Sequence, residues 1–251
     1  MPAPTDHVPT HFWKQQSPVD LRFESSYRID YDLLPLAFDY RGGPFEGSFV
    51  GEHPHKNFEI NDCTPIKKPP ILTFGDIKAR LYRIHVHPHS EHKIEGYQFD
   101  GEVHLIHKII DPQSGSDLLV VGIFIDKKIK PRVGEKEHFF AAWNEHSTNA
   151  GLSKSAGGTI SLDPEQLEKE LEGTKNWFRY EGSLTSPPYS ENVSWIVLNQ
   201  PIGIHSKAYE QLKDGAMQHT REVQCLNRRF VLRNFEPVTE TANSKKKSKS
   251  K

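Results

Sequence analysis

Ile77-Lys78-Ala79-Arg80-Leu81-Tyr82-Arg83-Ile84-His85-Val86-His87 is a run with no proline or glycine, rich in Ile, Val, Leu and Tyr, that ends on two histidines two residues apart. Such a run predicts a strand. Strand side chains alternate between faces, so His85 and His87 share one face while Ile84 and Val86 take the other. A second run, Gly101-Glu102-Val103-His104-Leu105-Ile106-His107, puts His104 on one face with Glu102 and Ile106. If the two strands pair antiparallel, His104 comes to lie beside His85 and His87.

Three neutral imidazoles on rigid strands suit zinc. Three protein nitrogens leave the fourth tetrahedral position open, which is the arrangement of a catalytic rather than a structural site. The alternative is a set of solvent-facing strand histidines, and the chain has 14 histidines, among which His53, His55, His89 and His92 are further candidates for that role.

Outward from these strands, short apolar runs at Phe58 to Ile60, Glu102 to Ile110 and Leu118 to Asp126 also read as strands, punctuated by prolines and glycines. Helical signals are few. Asp163 can cap a short helix that begins at Pro164, Ser206 can cap another that ends near Gly215, and a third falls between Gly134 and Asn149. The chain shows neither internal repeats nor a regular alternation of strand and long helix. The expected fold is therefore mixed, β-dominated α+β, with a large, mostly antiparallel central sheet and short peripheral helices. A length of 251 residues suits one domain: residues 1–14 as a partly ordered lead-in, 15–236 as the folded unit and 237–251 as a disordered tail.

Net charge is −1, from 32 basic and 33 acidic residues. Five of the lysines lie in the last seven residues, so the rest of the chain carries −6. A basic footprint is thus confined to the tail, and no nucleic-acid partner is expected. No stretch has the apolar length to span a bilayer, and Met1 to Gln16 lacks the pattern of a secretory signal, so no membrane association and a cytoplasmic location are expected. Cys63 and Cys225, the only cysteines in the sequence, read as reduced, partly buried thiols rather than a disulfide framework.

A third segment makes a specific likeness: Tyr180-Glu181-Gly182-Ser183-Leu184-Thr185-Ser186-Pro187-Pro188, followed by Trp195-Ile196-Val197-Leu198-Asn199-Gln200-Pro201-Ile202. Together with Gln16-Ser17-Pro18-Val19, His85-x-His87, Ser90-Glu91-His92 and Glu102-x-His104-Leu105-x-His107, it resembles the α-carbonic anhydrase family in order and spacing over roughly residues 15 to 235. The resemblance implies zinc-dependent, reversible hydration of carbon dioxide to bicarbonate and a proton. It implies that His85, His87 and His104 bind Zn2+, and that Thr185, paired with Glu91, orients the zinc-bound hydroxide for attack. It also implies that Glu102 supports His104, that Tyr180 belongs to the surrounding polar network, and that Ile106, Val120, Leu184, Val193 and Trp195 form the pocket for carbon dioxide. Two other functions fit the same pattern: a non-catalytic binding module on the same fold, and a zinc esterase.

Departures from the family pattern are equally specific. The family usually has a glutamine two residues before its first ligand, whose carbonyl accepts from that histidine; this chain has Arg83, which offers donors only. His85 must find another acceptor. The tryptophan that usually follows the second ligand is replaced by Pro88. In the stretch that resembles the family's proton-shuttle segment, Lys56 falls on the shuttle position, which leaves His55, one residue earlier, as the candidate proton shuttle and His53 behind it.

Overall fold

The computed structural model describes residues 14–50, 57–61, 69–111, 116–134, 139–141, 143–144, 160–215 and 220–237. The chain begins with β1 (Asp20–Leu21), β2 (Ser26–Arg28), β3 (Leu36–Asp39) and β4 (Phe45–Val50). The strands of the candidate site follow as β5 (Asn57–Ile60), β6 (Ile71–Phe74), β7 (Ile77–His87), β8 (Lys93–Ile94), β9 (Gly101–Ile109) and β10 (Leu118–Asp126). The last part contains β11 (Ile160–Leu162), helix α1 (Pro164–Leu171), β12 (Trp177–Gly182), β13 (Val193–Gly203), helix α2 (Ser206–Gly215) and β14 (Val231–Arg233).

Twelve of these strands form one sheet among the described residues, in the order β11-β4-β5-β7-β9-β10-β13-β12-β14-β2, with β6 also paired to β7 and β3 to β6. Most neighbours are antiparallel; β10–β13 and β14–β2 are parallel. This is the β-dominated, mostly antiparallel architecture that the sequence predicts. β10 lies between β9 and β13 and is buried along its whole length, which accounts for its unbroken apolar run.

Alternation along the central strands builds two apolar clusters. Val103, Leu105, Leu119, Val121, Ile196 and Leu198 pack into one, while Ile106, Val120, Phe124, Val193, Trp195 and Val197 pack into the other. β7 joins the first cluster through Ala79 and Leu81 and then through Ile84 and Val86, which are out of phase by one residue. A register shift between Leu81 and Arg83 explains the change. The extra residue at Tyr82 is a bulge, and it turns Arg83, His85 and His87 to the face opposite the first cluster.

Helix α1 starts at Pro164 as expected, since proline at the first helical position loses no hydrogen bond. The second helix differs by one residue. His205, not Ser206, holds the cap position, because its carbonyl accepts from the Tyr209 N–H at 2.9 Å. Helical residues also occur at 139–141 and 143–144, inside the third predicted helix. Cys225 is exposed rather than partly buried, and Cys63 lies outside the described residues. The tail from 238 onward and the lead-in up to 13 lie outside them too.

The first cluster encloses a polar pair, His107 and Tyr40. His107 is fully buried, its Nδ1–H donates to Leu119 O at 3.1 Å, and the Tyr40 hydroxyl therefore donates to Nε2 at 2.6 Å. Burial pushes the imidazole down to about 3. It stays neutral in the fold but gains a proton in the unfolded chain below about pH 6.5, so its contribution to stability is complete above that pH and is lost as pH falls toward 3. In urea unfolding of zinc-stripped protein, wild-type stability should fall more steeply between about pH 6 and 5 than that of His107→Gln, by about 1.4 kcal/mol per pH unit. Equal slopes would mean that His107 is not held neutral.

Candidate metal centre

Pairing of β7 with β9 sets His85 opposite His104 and His87 opposite Glu102. All three histidines are buried. Their ring centroids are 4.9 Å apart for His85–His87, 4.9 Å for His85–His104 and 4.7 Å for His87–His104. One ring nitrogen from each lies within 4.8 Å of the others, a spacing that could hold a metal ion.

The outward nitrogens determine what faces inward. His85 Nδ1 lies 3.0 Å from Asn57 Oδ1, an acceptor, so that nitrogen carries the proton and Nε2 keeps its lone pair. His104 Nε2 lies 3.0 Å from Glu102 Oε1, so its Nδ1 keeps the lone pair. Those two lone-pair nitrogens face each other at 2.8 Å. Without a cation between them the contact is repulsive; a metal ion turns both into ligands. His87 adds a third nitrogen, since Nε2 is buried with no hydrogen-bond partner. Burial pushes the His85 imidazole well below its ordinary range and that of His87 down to about 4, which keeps both rings neutral, as metal ligands must be. The donor set fits zinc: three neutral nitrogens, buried, with their outer N–H groups already committed in two of the three.

Glu102 anchors this arrangement. Its Oε1 accepts from His104 and from His92 Nδ1 at 2.7 Å, and its Oε2 accepts from the backbone N–H groups of Glu91 and His92, both at 2.9 Å. Burial pushes the carboxyl up, but His92 and His104 more than offset this and hold it well below the usual carboxylate range. Gly122, opposite His104 on β10, makes room, because a Cβ there would come within 2.7 Å of Glu102 Oε1. His92 is therefore buried rather than a solvent-facing histidine, and its Nε2 lies 2.6 Å from the Tyr180 hydroxyl. The Tyr180 oxygen also lies 2.8 Å from Ser17 Oγ, and Ser17 N–H donates to Ser183 Oγ at 2.9 Å. The Gln16 to Val19 and Gly182 to Thr185 motifs, far apart in sequence, are thus joined behind the site. A Cβ on Gly182 would come within 2.2 Å of Ser17 Oγ.

A cleft of ≈ 430 Å³ opens on His85 and His104, walled by Ile106, Val120, Leu184 and Trp195 on its apolar side. Thr185 also lines it and is 8% exposed. Val193 does not line the cleft, although it is buried in the same apolar cluster. Glu91 sits beside the triad, its Oε2 3.4 Å from His87 Nε2. Its Oε1 accepts from the Arg221 backbone N–H at 2.9 Å, while Oε2 is buried with no hydrogen-bond partner.

Asn57 and Arg221 were not visible to sequence reasoning, because their contacts come from segments 28 and 130 residues away from His85 and Glu91. The missing acceptor at Arg83 was the available signal for the first. Arg83 itself pairs with Glu59 on β5. His55, with His53 and Lys56, lies outside the described residues.

Fold and site together define a β-sheet protein with a candidate three-histidine metal centre that opens on a half-apolar cleft through His85 and His104. The model of the family described as eukaryotic-type carbonic anhydrase matches residues 5–244. This chain belongs to that family. It is 33% identical over 162 residues to a carbonic anhydrase of Nostoc sp., a match that covers 64% of this chain and 56% of that protein's length. It is 29% identical over 224 residues to dioscorin DB3S of Dioscorea polystachya, covering 86% of this chain and 75% of that one. Among solved structures, the α-carbonic anhydrase of Photobacterium profundum superposes with a TM-score of 0.63 at 26% identity, over 87% of this chain and 88% of that one. No helix among the described residues is long and apolar enough to cross a membrane.

Proposed function

We propose that this chain hydrates carbon dioxide reversibly to bicarbonate and a proton, with zinc held by His85, His87 and His104. The observation that carries the reading is the pair of inward lone pairs 2.8 Å apart on His85 and His104, beside an apolar wall. Bound zinc supplies a Lewis acid that activates water for attack at neutral pH.

The chain's own residues supply the rest. Ile106, Val120, Leu184 and Trp195 offer the small apolar substrate a surface from which water is excluded. Thr185 acts as an orienter: a hydroxyl that donates to Glu91 must accept from the attacking O–H, which leaves the nucleophile's lone pair aimed at the substrate carbon. Glu91 Oε2, buried and without a hydrogen-bond partner, is the acceptor suited to that hydroxyl, and the Arg221 N–H on Oε1 keeps the carboxylate in place. His55 is the candidate for carrying the proton to solvent, since an imidazole titrates near neutrality.

Stopped-flow hydration of carbon dioxide, measured on samples whose zinc content is varied by chelation and restoration, tests the proposal. The rate should rise in proportion to zinc. A zinc-saturated protein with no hydration above background would instead support a binding module, and ester hydrolysis without hydration would support an esterase.

A further inference from the structure

We infer that Asn57 is the positioning residue for His85, and that this chain has moved the acceptor for its first zinc ligand from β7 to the neighbouring strand β5. The inference rests on the zinc reading above.

Residues 83, 85 and 87 share one face of β7, so the group on the same strand best placed to reach His85 Nδ1 is the side chain at 83. Here that side chain is a guanidinium, which can only donate. It is also engaged elsewhere, in an ion pair with Glu59 and over the Tyr82 ring at 5.4 Å. The buried imidazole still needs an acceptor, because an unpaired N–H in that setting would be destabilising and leave the tautomer undefined.

β5 provides one. Its antiparallel register with β7 pairs Phe58 with Ile84 and Glu59 with Arg83, and continued by one residue it sets Asn57 across from His85. Arg83–Glu59 and His85–Asn57 are therefore successive cross-strand pairs on the same face. The first pair occupies the cation, so that it does not compete for the amide oxygen. The second places Asn57 Oδ1 3.0 Å from His85 Nδ1, which fixes Nε2 as the nitrogen that meets the metal. Outer partners of this kind orient the ring and raise its basicity, and their loss weakens metal binding roughly 10- to 100-fold.

The test compares Asn57→Leu with Asn57→Asp in the full chain. Both replacements branch at Cγ as asparagine does, but only aspartate keeps an acceptor. Zinc affinity is read by competition with a chelator, and ligand geometry by the visible absorption of the cobalt(II)-substituted protein. Asn57→Leu should bind zinc roughly 10- to 100-fold more weakly with an altered cobalt spectrum, while Asn57→Asp should bind at least as tightly as wild type because a carboxylate is the stronger acceptor. Asn57→Ala, which introduces no added bulk, should follow the leucine variant if leucine disturbs folding. Wild-type affinity in both Asn57→Leu and Asn57→Ala would overturn the inference. So would equal weakening in the leucine and aspartate variants, which would assign the effect to packing of β5. A wild-type protein that binds no zinc would overturn the zinc reading first and this inference with it.

Discussion

Replacing His104 with alanine is expected to abolish stoichiometric zinc binding. His104 supplies one of three inward nitrogens, and it is the one whose orientation is most firmly held, through the bond to Glu102. Losing an outer partner of a ligand costs roughly 10- to 100-fold in affinity, and losing the ligand itself should cost well beyond that. The folded chain should survive, because Glu102 keeps three of its four donors, from His92 Nδ1 and the backbone N–H groups of Glu91 and His92. Metal content after dialysis, chelator competition and circular dichroism of the zinc-stripped variant check this. His104→Gln, closer in size, controls for packing. Zinc that stays stoichiometric and equally tight in His104→Ala would remove His104 from the ligand set.

Thr185→Ala should give the contrasting result, with zinc retained and turnover lost. Thr185 lines the cleft but offers no ring nitrogen or carboxylate to the metal. Its proposed work is to hold the attacking group in one orientation, so its loss should lower kcat/KM for hydration about 10- to 100-fold, or roughly 1.4–2.7 kcal/mol of transition-state stabilisation. Thr185→Ser keeps the hydroxyl and should recover most of the rate. An unchanged rate in the alanine variant, measured at equal zinc content, would reject the orienting role.

How these residues meet shows where sequence reading succeeds. The period-two pattern of His85 and His87, and the separate run with Glu102 and His104, were enough to predict two strands and the faces their side chains take. Alternation is a local property of extended backbone, set by sterics within a few residues, so it survives into any fold that keeps the strand. Even the bulge at Tyr82 left a trace: Ile77, Ala79 and Leu81 fall on odd numbers, Ile84 and Val86 on even ones. A one-residue slip is the only way for a single strand to keep all five against the same core.

Val193 and His92 mark the limit of that reading. Motif position put Val193 on the pocket wall; it is buried in one cluster with the wall residues Ile106, Val120 and Trp195 without opening on the cleft itself, because which apolar side chain meets the cleft depends on neighbouring strands as well as on its own. His92 looked like one surface histidine among many. It is buried because Glu102 on β9 and Tyr180, from a strand 88 residues away, meet its two ring nitrogens.

By itself, then, the sequence determined the strand-rich class, the three imidazoles and the motifs that tie this chain to its family, since each depends on residue type and short-range spacing. The outer groups that orient His85 and His104 emerge in three dimensions alone. Arg83 announced that an acceptor was missing from β7; that Asn57 supplies it follows from the register of β5 against β7. Register is a property of two strands and of the core that both must cover, and neither strand encodes it alone.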